Sequence, residues 1–264
     1  HDQKPDIVFH LAASVGGMEI NKKNPGKFFY ENAMINLQVI HEGYLNKVEK
    51  IISTGTVSAY PGKAPLPFSE KNIWDGLPED ANAPYGIAKR IMHVQSKSYR
   101  KQYGFNSILL LLTNLYGPGD NYHPENSHVI PGLIYRFHEA KINNLPRVNI
   151  WGTGKPKREF LYVDDMAKAS VHLINIDKKI YDKNISPMCN HVNVGSGKDL
   201  TIKELAETIK EVVGFKGKIN FDPTKPDGSQ RKFLDSKRIN NFGFKPQISL
   251  KNGLIKTYQD YTKA

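Results

Sequence analysis

Residues 85–118, YGIAKRIMHVQSKSYRKQYGFNSILLLLTNLYGP, decide the fold class. From Tyr85 to Tyr103 apolar and polar residues recur at helical spacing, and Gly104 is the residue type that ends a helix in the left-handed conformation. Ser107 to Leu112 is then an unalternated run of Ile and Leu, which suits a strand buried on both faces. The run ends at Thr113-Asn114-Leu115-Tyr116-Gly117-Pro118, read as a loop. A helix feeding a doubly buried strand is half of a strand-helix-strand unit, so an α/β class with a parallel sheet is expected.

The same alternation extends both ways. Upstream, Ile7 to Leu11 and Lys50 to Thr54 read as strands, and Pro25 to Val48 reads as a helix through Phe28, Phe29, Ala33, Ile35, Val39 and Ile40. A loop with four prolines (Pro61, Pro65, Pro67, Pro78) leads from Gly55 to Pro84. Downstream, helices are expected over Val129 to Lys141, from Asp164-Asp165 onward, over Thr201 to Val213 with Thr201 and Glu204 as a capping box, and from Ser249. Strands are expected at Val148 to Trp151, Phe160 to Val163, His191 to Val194 and near Ile219. The expected architecture is a Rossmann-type doubly wound parallel sheet with a smaller α+β domain. Residues 1–115 would form one domain with 160–185 returning to it, and 116–159 with 186–264 the other.

Composition bounds the function classes. The 264 residues are 39% hydrophobic and 24% charged, which excludes disorder and small disulfide scaffolds. The lone Cys189 cannot form an intrachain bridge and fits a reducing compartment. No apolar run approaches a membrane span, so a soluble cytoplasmic protein without a membrane partner is expected. The net charge of +11 is spread among acids, with no basic block interleaved with aromatics, so a nucleic-acid partner is not expected. Small phosphorylated ligands fit this charge better.

Tyr85 and Lys89 carry the first chemical signal. Four apart on a helix, their side chains lie one above the other. An ammonium beside a phenol favours phenolate, so a group with a reference pKa of about 10 is expected to trade a proton nearer neutrality. A packed Tyr beside a solvated Lys is the other reading of this spacing. A strand running into Thr54-Gly55-Thr56 upstream brings a hydroxyl to the carboxyl ends of the strands, where open parallel sheets bind ligands.

With these residues the chain resembles the extended short-chain dehydrogenase/reductase family. The resemblance implies Thr56 as hydrogen-bond donor to a carbonyl, Tyr85 as general acid, and Lys89 as the residue that holds the cofactor ribose and tunes the Tyr. It narrows to the GDP-L-fucose synthases through Leu11-Ala12-Ala13-Ser14-Val15-Gly16-Gly17, the segment from Thr113 to Pro118, Asn126-Ser127-His128-Val129-Ile130-Pro131, Arg158-Glu159-Phe160-Leu161-Tyr162-Val163-Asp164-Asp165-Met166, and Lys225-Pro226-Asp227-Gly228. The implied cofactor is NADP(H), near Leu11, Ala12, Ala13, Thr54, Gly55, Tyr85, Lys89, Asn114, Leu115 and His128. The implied substrate is a GDP-linked 4-keto-6-deoxy sugar, near Asn114, Val129, Arg136, Trp151, Arg158 and Lys232. No metal site is expected. The helices Pro25 to Val48 and Tyr85 to Tyr103 match the pair that forms a dimeric four-helix bundle in similar enzymes, which implies a homodimer.

In such a fold the glycine-rich pyrophosphate turn sits on the first strand and helix, and Gly16-Gly17 follows a later strand. About fifty residues are expected to be absent ahead of His1, from the minimum size of a strand-helix-strand unit. The departure that matters most is Ser58. Fucose synthases place a Cys there, paired with a His, here His128, to invert the carbons beside the ketone. A thiol has a reference pKa near 8.5, whereas a serine hydroxyl is a far weaker acid. The expectation is a C4-ketoreductase with 3,5-epimerisation weakened or lost, acting on a hexose or a heptose, as in bacterial capsule synthesis. The alternatives are a bifunctional fucose synthase and a non-catalytic NADP-binding sensor or scaffold.

Overall fold

The computed structural model describes residues 4–16, 23–186 and 189–263. Gly17 and His1 lie outside the described residues. In chain order the elements are β1 (Ile7–His10), α1 (Pro25–Leu45), β2 (Lys50–Thr56), α2 (Ala83–Tyr103), β3 (Asn106–Leu112), β4 (Asn114–Tyr116), α3 (Val129–Ile142), β5 (Arg147–Trp151), β6 (Lys157–Tyr162) and α4 (Val163–Ile174). There follow α5 (Lys178–Lys183), β7 (His191–Val194), β8 (Asp199–Thr201), α6 (Ile202–Val213), β9 (Lys218–Asp222), β10 (Arg231–Lys232), α7 (Lys237–Asn241) and α8 (Leu250–Tyr261).

The chain forms two compact units. The first comprises His1–Thr113, Ala167–Val194 and Leu234–Lys245. Its sheet is wholly parallel in the order β1-β2-β3-β7. Every residue of β3 is buried, the result of an unalternated apolar strand covered on both faces. Ile40 and Val48, Ile51 of β2, Met92 of α2, and Phe105 and Leu109 pack in one cluster, which ties α1 and α2 to the sheet. The α2 helix ends at Gly104 with φ +66°, a conformation that a Cβ would disfavour.

The second unit comprises Asn114–Met166, Gly195–Phe233 and Pro246–Ala264. Its sheet runs β10-β6-β4, with β8 antiparallel to β6, and β5 pairs with β9. The core lies between α3, α6 and α8, where Leu133, Phe137, Leu205, Ile209 and Leu254 are buried together. The capping box at the start of α6 is present, with Glu204 N–H donating to Thr201 Oγ1 at 3.1 Å and Thr201 N–H to Glu204 Oε2 at 2.7 Å.

The structure differs from the sequence reading at identifiable places. Asn114–Tyr116 is a strand and not a loop, because its backbone finds β6 in the register Asn114↔Phe160 to Tyr116↔Tyr162. The unit boundaries also differ from those expected. Residues 160–166 stay with the second unit, while 186–194 and 234–245 belong to the first. The reason is hydrogen bonding at long range: β7 pairs with β3, Leu234 bridges Phe68, and the Arg238 guanidinium donates to the carbonyls of Cys189 and His191. Among the described residues no helix is long and apolar enough to cross a membrane.

Candidate active site

In the first unit the chemistry gathers at the carboxyl end of β2. Thr54, Gly55, Thr56 and Ser58 are half-buried there. Thr56 closes the strand in extended conformation and caps a short 3-10 turn, Val57–Ala59, by accepting Ser58 N–H on its Oγ1 at 3.2 Å. A hydroxyl has one proton and two lone pairs, so Thr56 keeps its own proton to donate. Helix α2 packs its first turn against this segment. A Cβ at Gly86 would lie 2.8 Å from the Ser58 carbonyl oxygen and 3.3 Å from Ala59 Cα, so only glycine permits the approach. Arg90, one turn on, clamps the loop by donating Nε–H to Ala59 O and Nη1–H to Gly76 O, each at 2.7 Å.

This contact gives a first prediction. Gly86→Ala gains up to about 1 kcal/mol of helix propensity, but forcing a Cβ onto backbone costs about 1–3 kcal/mol. The expected result is a lower melting temperature, with turnover reduced at least about tenfold because Tyr85 moves with the helix start. Thermal unfolding and steady-state rates check it, and a variant with normal turnover would contradict it.

Lys89 is 2% exposed and donates to Thr54 O at 3.1 Å and to Asn36 Oδ1 at 3.4 Å. An ammonium has three protons, so among the described residues one remains for a ligand. Burial brings Lys89 down to about 8 and pushes Tyr85 up to about 12. The expected lowering of Tyr85 is therefore not what the structure gives: Lys89 Nζ is 5.9 Å from the Tyr85 ring centroid, and desolvation dominates. A phenol held in its protonated form suits the donor of a proton to a forming alkoxide. Strand β1 delivers Leu11 and Ala12, both exposed, and Ala13 to the chain just beyond its carboxyl end. The remaining Lys89 N–H and the Tyr85 hydroxyl are donors suited to the ribose hydroxyls at the nicotinamide end of a dinucleotide, so these residues fit that half of the cofactor. Asn36 and His10 also stand here, and sequence reasoning passed over them as sites.

The second unit carries the remaining candidates. His128 is exposed just ahead of α3 and Val129 begins that helix. The Asp120 carboxyl is pushed up by burial, opposed by the Asn121 N–H and by His128. Asn114 spends its amide on Glu159 O at 2.9 Å, and Leu115 follows it in β4. Trp151 is 60% exposed with cations on its ring, Arg136 at 6.0 Å and Lys225 at 5.6 Å from the centroid. Thr153 donates its N–H and hydroxyl to Asp227 at 2.8 and 2.7 Å, which pins the Lys225 loop to the turn after Trp151. Arg158 and Lys232 are register partners in the parallel β6-β10 pair. The Arg158 guanidinium donates to the carbonyls of Lys157 and Ser229 at 2.7 and 2.6 Å, which holds its charge at the start of this pair. The sequence reading named both cations but had no means of making them neighbours, and it missed Lys225 as a partner of Trp151.

Among the described residues no group of three or more His, Cys, Asp or Glu is arranged to hold a metal ion. Residues 1–195 match the NAD dependent epimerase/dehydratase family. The chain belongs to this family. It is 47% identical over 257 residues to the GDP-L-fucose synthase of Escherichia coli strain K12, which takes in 97% of this chain and 80% of that protein. A GDP-6-OMe-4-keto-L-xylo-heptose reductase from C. jejuni superposes with a TM-score of 0.91 at 34% identity, over 99% of this chain and 84% of that one. A GDP-mannoheptose C4 reductase from Campylobacter jejuni, solved with NADP bound, gives 0.88 at 36% identity, over 98% and 82%. As a member of the epimerase/dehydratase family the chain is an enzyme with a nicotinamide dinucleotide cofactor, and its parallel sheet is the cofactor-binding fold of that family.

Proposed function

We propose that this protein is an NADPH-dependent C4-ketoreductase of a GDP-4-keto-6-deoxy sugar, hexose or heptose, in which 3,5-epimerisation is weakened or lost. The observation that carries the reductase reading is the Thr56, Tyr85, Lys89 set: a free hydroxyl proton, a phenol kept protonated, and a buried ammonium with one proton unspent. NADPH, when bound, supplies the hydride. Thr56 donates to the C4 carbonyl oxygen, Tyr85 protonates the alkoxide as it forms, and Lys89 holds the cofactor ribose and supplies positive charge behind the phenol. Arg136, Trp151, Arg158 and Lys232 take the GDP end, with the paired cations on the diphosphate and Trp151 on the base.

Ser58 supports the loss of epimerisation. Removing a proton beside a ketone needs a base near neutrality, and a serine hydroxyl is a far weaker acid than the thiol expected at that position. The bifunctional alternative is favoured by the relatives named GDP-L-fucose synthases, at 47% and 45% identity. In that reading His128, next to Asp120, carries the proton transfers alone. A pure reductase would act after a separate 3,5-epimerase, in a cytoplasmic homodimer whose α1 and α2 pair with those of a second copy.

Two measurements on one sample decide. With GDP-4-keto-6-deoxymannose and NADPH, NMR of the product should show reduction at C4 with C3 and C5 unchanged. In D2O without reduced cofactor, no deuterium should enter at C3 or C5. Rapid exchange at either carbon establishes the bifunctional reading, and absence of any NADPH oxidation with GDP-4-keto sugars refutes both.

A further inference from the structure

Asn36 of α1 and His10 of β1 are both buried and lie against Lys89, and their hydrogen bonds leave no freedom in how they are protonated. Asn36 meets three groups: Lys89 Nζ at 3.4 Å and His10 Nε2 at 3.1 Å on its Oδ1, and the Ala88 carbonyl oxygen at 3.0 Å from its Nδ2. The Ala88 carbonyl can only accept and an ammonium can only donate, so the amide has one orientation, with Nδ2 toward Ala88 and Oδ1 toward Lys89. Rotated by half a turn, it would set NH2 against an ammonium and oxygen against oxygen. With Oδ1 so placed, His10 Nε2 faces an acceptor and must carry a proton.

We propose that His10 is a positioning residue for Lys89: its Nε2–H donates to Asn36 Oδ1 and holds that oxygen where the ammonium needs it. The effect on catalysis rests on the role given to Lys89 above. Strand and helix geometry make the arrangement rigid. The Thr54 hydroxyl donates to the His10 carbonyl at 3.3 Å while the Thr54 carbonyl accepts from Lys89, so the ends of β1 and β2 are tied to each other and to the lysine. Burial lowers the His10 pKa, the hydrogen bond to Asn36 opposes this and Lys89 adds to it, with a net lowering, so the ring is neutral at neutral pH and the Nε2–H tautomer is the form that serves. A neutral donor steadies the amide without setting a second positive charge beside the ammonium, which a lysine or arginine at the same place would do. His10 touches neither substrate nor cofactor in this assignment; it acts through Asn36.

The test begins on the full-length, unsubstituted enzyme without substrate. Imidazole 15N shifts near pH 7.5 should report His10 as the Nε2–H tautomer, and an Nδ1–H tautomer overturns the proposal. The Lys89 13Cε titration, assigned by its loss in Lys89→Arg, is then followed in His10→Leu and His10→Gln. In His10→Leu the lysine midpoint should fall and kcat for ketosugar reduction drop about tenfold, the worth of one buried hydrogen bond. His10→Gln, which keeps an N–H donor, should recover most of both. A folded His10→Leu enzyme with an unchanged lysine titration overturns the proposal, and if that variant does not fold, the tautomer and the glutamine variant decide. Tautomer and titration need no ketosugar, so a wrong substrate would leave them standing.

Discussion

Tyr85→Phe is expected to lower ketosugar-dependent NADPH oxidation by about a hundredfold to ten-thousandfold, the range in which a positioned general acid contributes. The substitution removes one oxygen. Among the described residues that oxygen makes no hydrogen bond, so its loss leaves no buried partner unsatisfied, and the ring keeps its packing. Gly86 still lies on the Ser58 turn and Lys89 still bonds Asn36 and Thr54. Melting temperature and NADPH affinity, read from nicotinamide fluorescence, should therefore stay near those of the unsubstituted enzyme while kcat collapses. An unchanged rate would remove Tyr85 from the reaction and favour the reading of a non-catalytic cofactor-binding protein.

Acid should destabilise the protein steeply, through two histidines that take no part in the site. His93 of α2 and His191 of β7 are buried with ring centroids 4.5 Å apart. Neither nitrogen of His93 has a side-chain or backbone partner among the described residues. His191 Nε2 meets Tyr60 Oη at 3.1 Å, and that hydroxyl donates to Asn193 Oδ1 at 2.6 Å. Desolvation lowers His93 to about 3, with Arg90 adding to it. It lowers His191 as well, with His93 and Arg238 contributing. Both rings are neutral in the folded state and charge when the chain unfolds, so the unfolded state binds more protons below pH 6.5. Stability is then full above 6.5 and falls with pH by about 1.4 kcal/mol per unit for each histidine, down toward the folded-state values. Denaturant midpoints measured from pH 7 to pH 4.5 should show this slope, and His93→Leu should reduce it by up to about 1.4 kcal/mol per pH unit. A flat dependence would mean that water or an ion compensates the pair.

The two predictions differ in how far the sequence could reach them. The helical period alone places Tyr85 and Lys89 on one face, so the reactive pair is legible from spacing. His93 looks like any polar residue on a helix, and its cost comes from His191, contributed by a strand almost a hundred residues further on. Asn36 had a local signal, because Asn32 and Asn36 interrupt the buried stripe of α1 one turn apart, where an apolar residue is the norm. The sequence reading did not use it. A buried amide states only that a partner exists, and which partner is settled by packing.

Periodicity, caps and the apolar run of β3 determined the parallel α/β class, the main helices and strands, and the Tyr-Lys pair, because these depend on contacts within a few residues. Tertiary structure decided the rest. It turned Asn114–Tyr116 into a strand, returned β7 and Leu234–Lys245 to the first unit, set Arg158 beside Lys232 in register, and gave Lys89 its acceptors on Asn36 and Thr54. It also reversed the expected drift of Tyr85, since desolvation depends on everything packed around a group and not on its neighbours in the chain. The physical reason is common to all of these: strand pairing, burial and the satisfaction of buried polar groups are made between segments far apart in sequence, where no local pattern records them.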